Sequence, residues 1–402
     1  MKHLPSLGWR PLVLHVRPDL HRPRDATLLD EIPGDTPVAE VGTGPLSRIC
    51  TASAGVLGRP LLRGDGPRFR KATRLGAKLC QQHGAEVIFV SAPPSRLPLL
   101  GLSLAEATGL PLVTDFRDPP WQLNSQWRPD PGARKFFERK SAAVYARSAR
   151  LIVNTEPVRR AMIDELGLPA AKVVYVPNGY DEDDFDAVEA DRGPSAGRAL
   201  RAVSAGAPRS GPELEALVRA LEIAGEHPDF RAEFRLQILG ACSAPLRRAL
   251  STPRIREMVQ LRGHVGHRDS VREMVHADLN VVLLPEASSA RRVPQKLYQY
   301  LRAGRPVLGF LSTGPGQRLI EDSGLGFCYE PRKSDEMARG LLRAFELWQQ
   351  GWSPSPVSSE RLQRFERCNL TRELADVFEA VRDRPNRVRS IGRPDAADSS
   401  AA

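Results

Sequence analysis

Ten short apolar runs, each closed by turn residues and separated by helix-like stretches, organise this chain. The first half holds PLVLHV (11–16), AEVIFVSA (85–92), PLVTDF (111–116), RLIVNT (150–155) and KVVYVPN (172–178). The second holds ALRAVSAG (199–206), RLQILGA (235–241), DLNVVLLP (278–285), RPVLGFL (305–311) and LGFCYEP (325–331). Near-continuous apolar strands belong to parallel sheets covered on both faces, and parallel neighbours need a crossover helix between them. Two such sets predict an α/β chain of two doubly wound, Rossmann-like domains facing a cleft. Its 402 residues suffice for two cores.

The composition breaks between Tyr180 and Arg198, where an acidic run (DEDDFDAVEAD) gives way to Gly, Pro and Ser. This places an N-terminal domain at 1–180, a linker at 181–198 and a C-terminal domain at 199–350. A second break at 350–359 precedes a helical pattern over 360–381, expected to pack back on the N-terminal domain. The polar tail 382–402 reads as disordered. At the start, LPSLGWRP reads as a helix end running into strand 11–16, so the N-terminal domain is expected to lack its first βα unit.

Charge and cysteine usage narrow the setting. Lys plus Arg total 58 against 48 Asp plus Glu, a formal charge of +10, and only eight of the 58 are Lys. That surplus attracts anions in general, but no nucleic-acid recognition motif accompanies it. The five Cys are scattered, odd in number and without a Cys-x-x-Cys pair, which suits a reducing compartment rather than a disulfide framework or a zinc site. No signal-length or membrane-spanning apolar stretch is present, so a cytoplasmic location is expected. The segment RKFFERK (134–140) has two readings: a helix resting peripherally on the anionic inner face of a membrane, or a solvated face with both Phe in the core. The second is favoured.

The segment 291–310, RRVPQKLYQYLRAGRPVLGF, carries the most chemistry. Pro294 fits the first turn of a helix, where its missing N–H costs nothing. The backbone N–H groups of Gln295, Lys296 and Leu297 would then project unpaired, and such a tip with Lys296 beside it favours a diphosphate. Gln299 lies three residues on, on the same face, within reach of a ribose behind the phosphates. Gly304 stops the helix. Read alone, the same pattern also fits an ordinary strand–helix–strand unit. The preceding strand, however, ends in Pro285 and Glu286, at the carboxyl edge where open α/β sheets bind ligands.

The run PQKLYQYLRAGRPVLGF (294–310) resembles the donor-site helix of GT-B glycosyltransferases of family 4, whose usual form is P-x-K-x-x-E-Y-L-A-A-G-x-P-V-L. Further pieces follow in that family's order. VVYVPNGYDEDDF (173–185) is similar to its V-x-x-I-P-N-G-x-D-x-x-x-F crossover, and SAGAPRSGPELEALVRAL (204–221) to the first βα turn of the donor domain. LRGHVGHRDSVREMVHADLNVVLLP (261–285) is similar to its G-x-V … A-D-x-x-L-x-P stretch. In the first half, SAPPS (91–95) and VTDFRDPPW (113–121) resemble loops of a subgroup acting in surface-polysaccharide or natural-product assembly. The resemblance spans roughly residues 8–380.

It implies transfer of a sugar from a nucleotide-diphosphate-sugar to a saccharide, lipid-linked or small-molecule acceptor. The transfer would proceed with retention, without metal and without a further cofactor, by hinge closure of the two domains. Arg209 and Lys296 would be the catalytic cations that hold the leaving diphosphate. Gly206 would lie against that diphosphate, and the backbone of His264 and Val265 would meet the nucleobase. Pro285, Glu286, Arg292, Gln295 and Leu297 would complete the donor side, with Gln299 at the ribose. Ser91, Pro93, Asp115, Arg117, Asp118 and Trp121 would face the acceptor, Trp121 or Trp127 by stacking on a sugar. Asp115, Arg117 and Asp118 also admit a purely local ion-pair network, and His15 and His21 are candidates by chemistry alone. The family usually carries Glu where this chain has Gln299 and Arg291. That departure supports an alternative, a catalytically reduced GT-B carbohydrate- or nucleotide-binding protein. A nucleotide-sugar 2-epimerase is a further alternative, disfavoured by the sparse His and carboxylates.

Overall fold

The computed structural model describes residues 1–16, 25–41, 67–94, 96–124, 131–189, 199–206 and 211–382. The C-terminal half forms one six-stranded parallel sheet from β7 (Leu200–Ala205), β8 (Phe234–Leu239), β9 (Val259–Gly263), β10 (Leu279–Leu283), β11 (Val307–Phe310) and β12 (Gly326–Tyr329). Their spatial order is β12-β11-β10-β7-β8-β9, the doubly wound order in which the chain reverses direction between β7 and β10. β7 and β8 pair at six positions, whereas β7 and β10 pair at only two, Ala202 with Leu279 and Val203 with Asn280. The sheet therefore parts beyond those residues, and their carboxyl ends flank a crevice. Leu236, Ile238, Val281 and Leu308 fill one face against the helices Pro212–Ala224 and Ser334–Gln349.

The N-terminal half contains a four-stranded parallel sheet, β3 (Ile88–Ala92), β4 (Leu112–Phe116), β5 (Ser148–Val153) and β6 (Val173–Tyr175), in chain order. A separate parallel pair is made by β1 (Val13–Val16) and β2 (Val38–Val41). All five residues of β4 are buried, including Thr114, whose hydroxyl is bonded to that of Ser148 at 2.8 Å. Two strands have no apolar run to announce them. β2 leaves Val38 exposed, and β9, at the sheet edge, reads VQLRG with inner and outer positions alternating. Fold class is as the apolar runs imply: α/β with two Rossmann-like domains.

The chain end ties the halves together. The helix Arg367–Arg382 lies on the N-terminal sheet, with Phe378 edge-on to Trp9 (5.2 Å) and Phe89 (5.5 Å) and Val381 against Val113 and Ile152. Where the two crossing segments meet, Tyr180 N–H donates to Phe365 O (3.0 Å) and Arg367 N–H to Tyr180 O (2.7 Å). A Cβ at Gly179 would stand 2.1 Å from Phe365 O, so only glycine admits this approach. Part of the acidic stretch is itself structured. Residues Asp183–Glu189 form a helix that buries Phe185 against Val271, Val275 and Ala303, with Asp183 and Asp186 on its outer side and Asp184 buried. Residues 190–198 and the tail from 383 lie outside the described residues.

Candidate functional site

The helix at the heart of the sequence argument spans Gln295–Ala303 and ends on Gly304 in the left-handed region. Its first turn departs from expectation in two respects. Pro294 is the cap residue (φ −58°, ψ 136°), so the helix begins one residue later. Leu297 N–H is not free, because it donates to Pro294 O at 3.0 Å. The amides of Gln295 and Lys296 have no partner among the described residues, and no side chain caps the helix. Lys296 is half-buried, and among the described residues it makes no hydrogen bond or ion pair. Desolvation without a compensating carboxylate lowers its ammonium pKa to about 8. An unpaired cation held beside a positive helix end lacks only an anion. One turn further, Gln299 is only 7% exposed and its amide is likewise without a hydrogen bond among the described residues.

Tyr300 joins this helix to the sheet. Its buried hydroxyl accepts from Ala205 N–H (2.9 Å) and donates to Val281 O (3.2 Å), linking the end of β7 to the middle of β10. Gly206 follows at φ +85°, exposed, with nothing within 4 Å of the space a Cβ would take. The next strands end the same way: Gly206 N–H donates to Leu239 O and Gly240 N–H to Gly263 O, each 2.6 Å, with Gly240 and Gly263 also at positive φ. The result is a rim of bare backbone at the carboxyl edge, onto which a flat or charged ligand can close without steric hindrance. Of this rim only Gly206 was anticipated. Gly240 was legible as a glycine ending the run RLQILGA, and Tyr300 carries no local signal of its role.

The other expected donor residues divide. His264 is exposed beyond β9, while the Val265 side chain packs with Val203 and Leu239. Pro285 caps the short helix Glu286–Ser289, and the Glu286 carboxylate pairs with Arg332 at 2.9 Å. Arg332 also lies 4.0 Å from Glu213, so the Glu286 carboxylate is neutralised by a cation that sequence reading overlooked. Arg291, Arg292 and Gln295 reach across to the other domain instead of into the crevice. Arg291 binds Glu165 (2.5 Å) and Leu123 O (3.1 Å), and Thr155 hydroxyl donates to Arg291 O (2.8 Å). Arg292 pairs with Asp118 at 2.7 Å, and the Gln295 amide donates to Gly179 O at 2.5 Å. Arg292 and Gln295 thus form an interdomain clamp in this structure, a role that only tertiary contact reveals. Arg209, His21 and Trp127 lie outside the described residues.

On the acceptor side the expected residues fall into two groups. Asp115 is buried and takes two bonds from the Arg117 guanidinium Nε (2.7 and 2.9 Å) and another from Ser91 hydroxyl (2.8 Å). Arg117 continues to Pro177 O and Asn178, and Asn154 donates to Arg117 O. Ser91, Asp115 and Arg117 are thus spent on bracing the strand ends, which matches the ion-pair alternative rather than direct substrate contact. Pro93, Asp118 and Trp121, by contrast, line a cavity of about 230 Å³ whose floor includes Phe116, Phe137 and Tyr145. Phe137 is 7% exposed and Phe136 packs on the same core. Among the described residues no group of three His, Cys, Asp or Glu is placed to hold a metal, and no helix is long and apolar enough to cross a membrane.

Solved structures share this architecture. A glycosyltransferase from Rickettsia africae ESF-5 aligns at TM-score 0.63 and 11% identity, covering 94% of this chain and 100% of its own. Anabaena HepE in complex with UDP and glucose aligns at 0.64 and 15%, covering 92% and 99%. Sucrose-phosphate synthase from Thermosynechococcus elongatus aligns at 0.67 and 15%, covering 94% and 90%. At these identities the likeness establishes the fold. Residues 1–179 match the glycosyl transferase 4-like domain family. Residues 1–179 thus carry a glycosyl transferase 4-like domain, within a two-domain fold that the whole chain shares with these solved structures. Comparison with curated proteins yields no match. The family match stops at Gly179, the residue at which the backbone passes against the returning chain.

Proposed function

We propose that the protein is a glycosyltransferase that moves a sugar from a nucleotide-diphosphate-sugar, held by its C-terminal domain, to an acceptor hydroxyl presented by its N-terminal domain. The observation that carries this reading is Lys296: a half-buried ammonium without a partner among the described residues, its pKa lowered to about 8, on the first turn of a helix with open amides. A diphosphate at that point supplies the missing counter-charge, and the rim of Gly206 and Gly240 admits it closely. Gln299, buried as a residue and without a side-chain hydrogen bond among the described residues, then meets a ribose hydroxyl. Solved neighbours that hold UDP, such as Anabaena HepE, agree with a nucleotide in this fold.

In the step itself the acceptor oxygen bonds to the anomeric carbon as the bond from that carbon to the diphosphate oxygen breaks. The diphosphate leaves with the electron pair and takes the acceptor proton, so no enzymic base is required. Lys296, and Arg209 by its place in the family pattern, stabilise the charge developing on it. This is a retaining transfer with cationic side chains in the part a metal would otherwise play. Membrane attachment through residues 134–140 is not part of the reading, because Phe136 packs on the core and Phe137 is buried beside the cavity. Calorimetry with nucleoside diphosphates tests the donor site, and release of nucleoside diphosphate from candidate donors tests turnover. Tight binding with no release under any donor and acceptor pairing would leave a binding protein and remove the transfer step.

A further inference from the structure

Resting on the donor reading above, we infer that the acceptor is a compact hydroxylated aryl carboxylate, held with its ring in the N-terminal cavity and its anionic group on Lys140. The lining of this cavity of about 230 Å³ is mostly apolar, with Phe116, Trp121, Phe137 and Tyr145 as its aromatics and Asp118, Asn124, Lys140 and Ser141 as its polar members. The polar atoms of those aromatics are already engaged. Trp121 Nε1–H donates to Ser141 hydroxyl at 2.8 Å, and Tyr145 hydroxyl donates to Gln122 Oε1 at 3.0 Å. They offer ring faces, not hydrogen bonds, to whatever enters, and such faces suit another ring more than a hydroxyl-covered sugar. Of the two charged side chains in the lining, Asp118 is neutralised by Arg292 at 2.7 Å. The other, Lys140, lines the cavity and makes no hydrogen bond or ion pair among the described residues.

An apolar slot with one unmatched cation selects an apolar body with one anion. Because Asp118 is bonded to Arg292, immediately before the donor helix, that wall of the cavity is the one that meets the donor domain. A hydroxyl on the ring's far side from the carboxylate faces the sugar there, and it is this oxygen that bonds to the anomeric carbon while the nucleoside diphosphate departs with the proton.

Isothermal titration of the full chain with 4-hydroxybenzoate, its neutral isostere 4-hydroxybenzamide, farnesyl phosphate and maltose tests this. The carboxylate should bind at least about tenfold more tightly than the amide, the usual effect of a charge-assisted bond. Lys140→Gln should erase that preference and Lys140→Arg should keep it. Equal binding of acid and amide, a preference untouched by Lys140→Gln, or binding of farnesyl phosphate or maltose in place of the carboxylate would each overturn the inference. UDP is titrated in parallel. UDP binding without any aryl carboxylate binding defeats the acceptor class alone, whereas failure of UDP and every other nucleoside diphosphate defeats the donor reading.

Discussion

Lys296 shows how one residue can be uncomfortable in a folded protein and useful for that reason. Its ordinary pKa is 10.5, and burial without a carboxylate lowers it to about 8. A base whose pKa is lower folded than unfolded costs stability while charged, so the free protein should gain stability as pH rises from about 8 towards 10.5. A bound diphosphate reverses the balance by favouring the ammonium. Nucleoside-diphosphate affinity should therefore be flat below pH 8 and fall by up to about tenfold per pH unit above it. Lys296→Gln should weaken binding and flatten that pH profile. Calorimetry from pH 7 to 9.5 checks both, and an unchanged slope in the variant would assign the titration to another group. Tyr300 makes the complementary case. Its hydroxyl satisfies the buried Ala205 N–H, so Tyr300→Phe should cost about 1–3 kcal/mol in denaturant unfolding. It should also weaken nucleotide binding, because the turn it anchors is the one proposed to receive the phosphates.

At the scale of elements, the decisive feature is that adjacent parallel strands end in glycine at the same edge. Gly206, Gly240 and Gly263 all have positive φ, and the first two donate to the strand beside them. A side chain at Gly206 has room, since nothing lies within 4 Å, so the cost there is conformational. Gly206→Ala should destabilise the protein by about 1–2 kcal/mol through its left-handed backbone. It should weaken nucleotide binding by more than that loss alone implies, because the methyl group enters the ligand's space. Thermal unfolding and titration on the same sample separate the two effects. The helix Asp183–Glu189 makes the opposite point, since a stretch that composition marks as a linker is held by one buried aromatic. Arg302 stacks over that Phe185 at 5.1 Å while its guanidinium pairs with Glu182.

Across the whole molecule, two consecutive arginines hold the cleft. Arg291 meets Glu165 and Leu123 O, and Arg292 meets Asp118. His267 adds a third link: its backbone N–H, at the start of the helix His267–His276, donates to the Asp25 carboxylate of the N-terminal domain, and its ring is bonded to Asp184 at 2.8 Å. Partly exposed pairs of this kind contribute little to stability, about 0–1 kcal/mol each. Their expected effect is on how closely the two domains are held together. Arg291→Glu, which sets two carboxylates against each other, should enlarge the radius of gyration measured by small-angle X-ray scattering with little change in thermal stability. Adding Glu165→Arg should restore compactness. An Arg291→Glu protein as compact as the parent would show that closure depends on other contacts.

Much of this was written locally in the chain. The alternation of apolar runs and helical stretches specified parallel sheets, since burial on both faces demands such runs, and the spacing of Lys296, Gln299 and Gly304 specified a helix with a charged tip and a stop. These are properties of residues a few positions apart, which periodicity and capping report directly. The tertiary structure alone decided that Arg291 and Arg292 serve the interface, that Asp115 and Arg117 brace a strand end, and that Lys140, without a partner among the described residues, lines a mostly apolar cavity. It also decided that Gly179 is fixed by a carbonyl nearly two hundred residues away. Partners so distant leave no spacing to read, because what brings them together is the packing of finished elements and not the conformation of either segment.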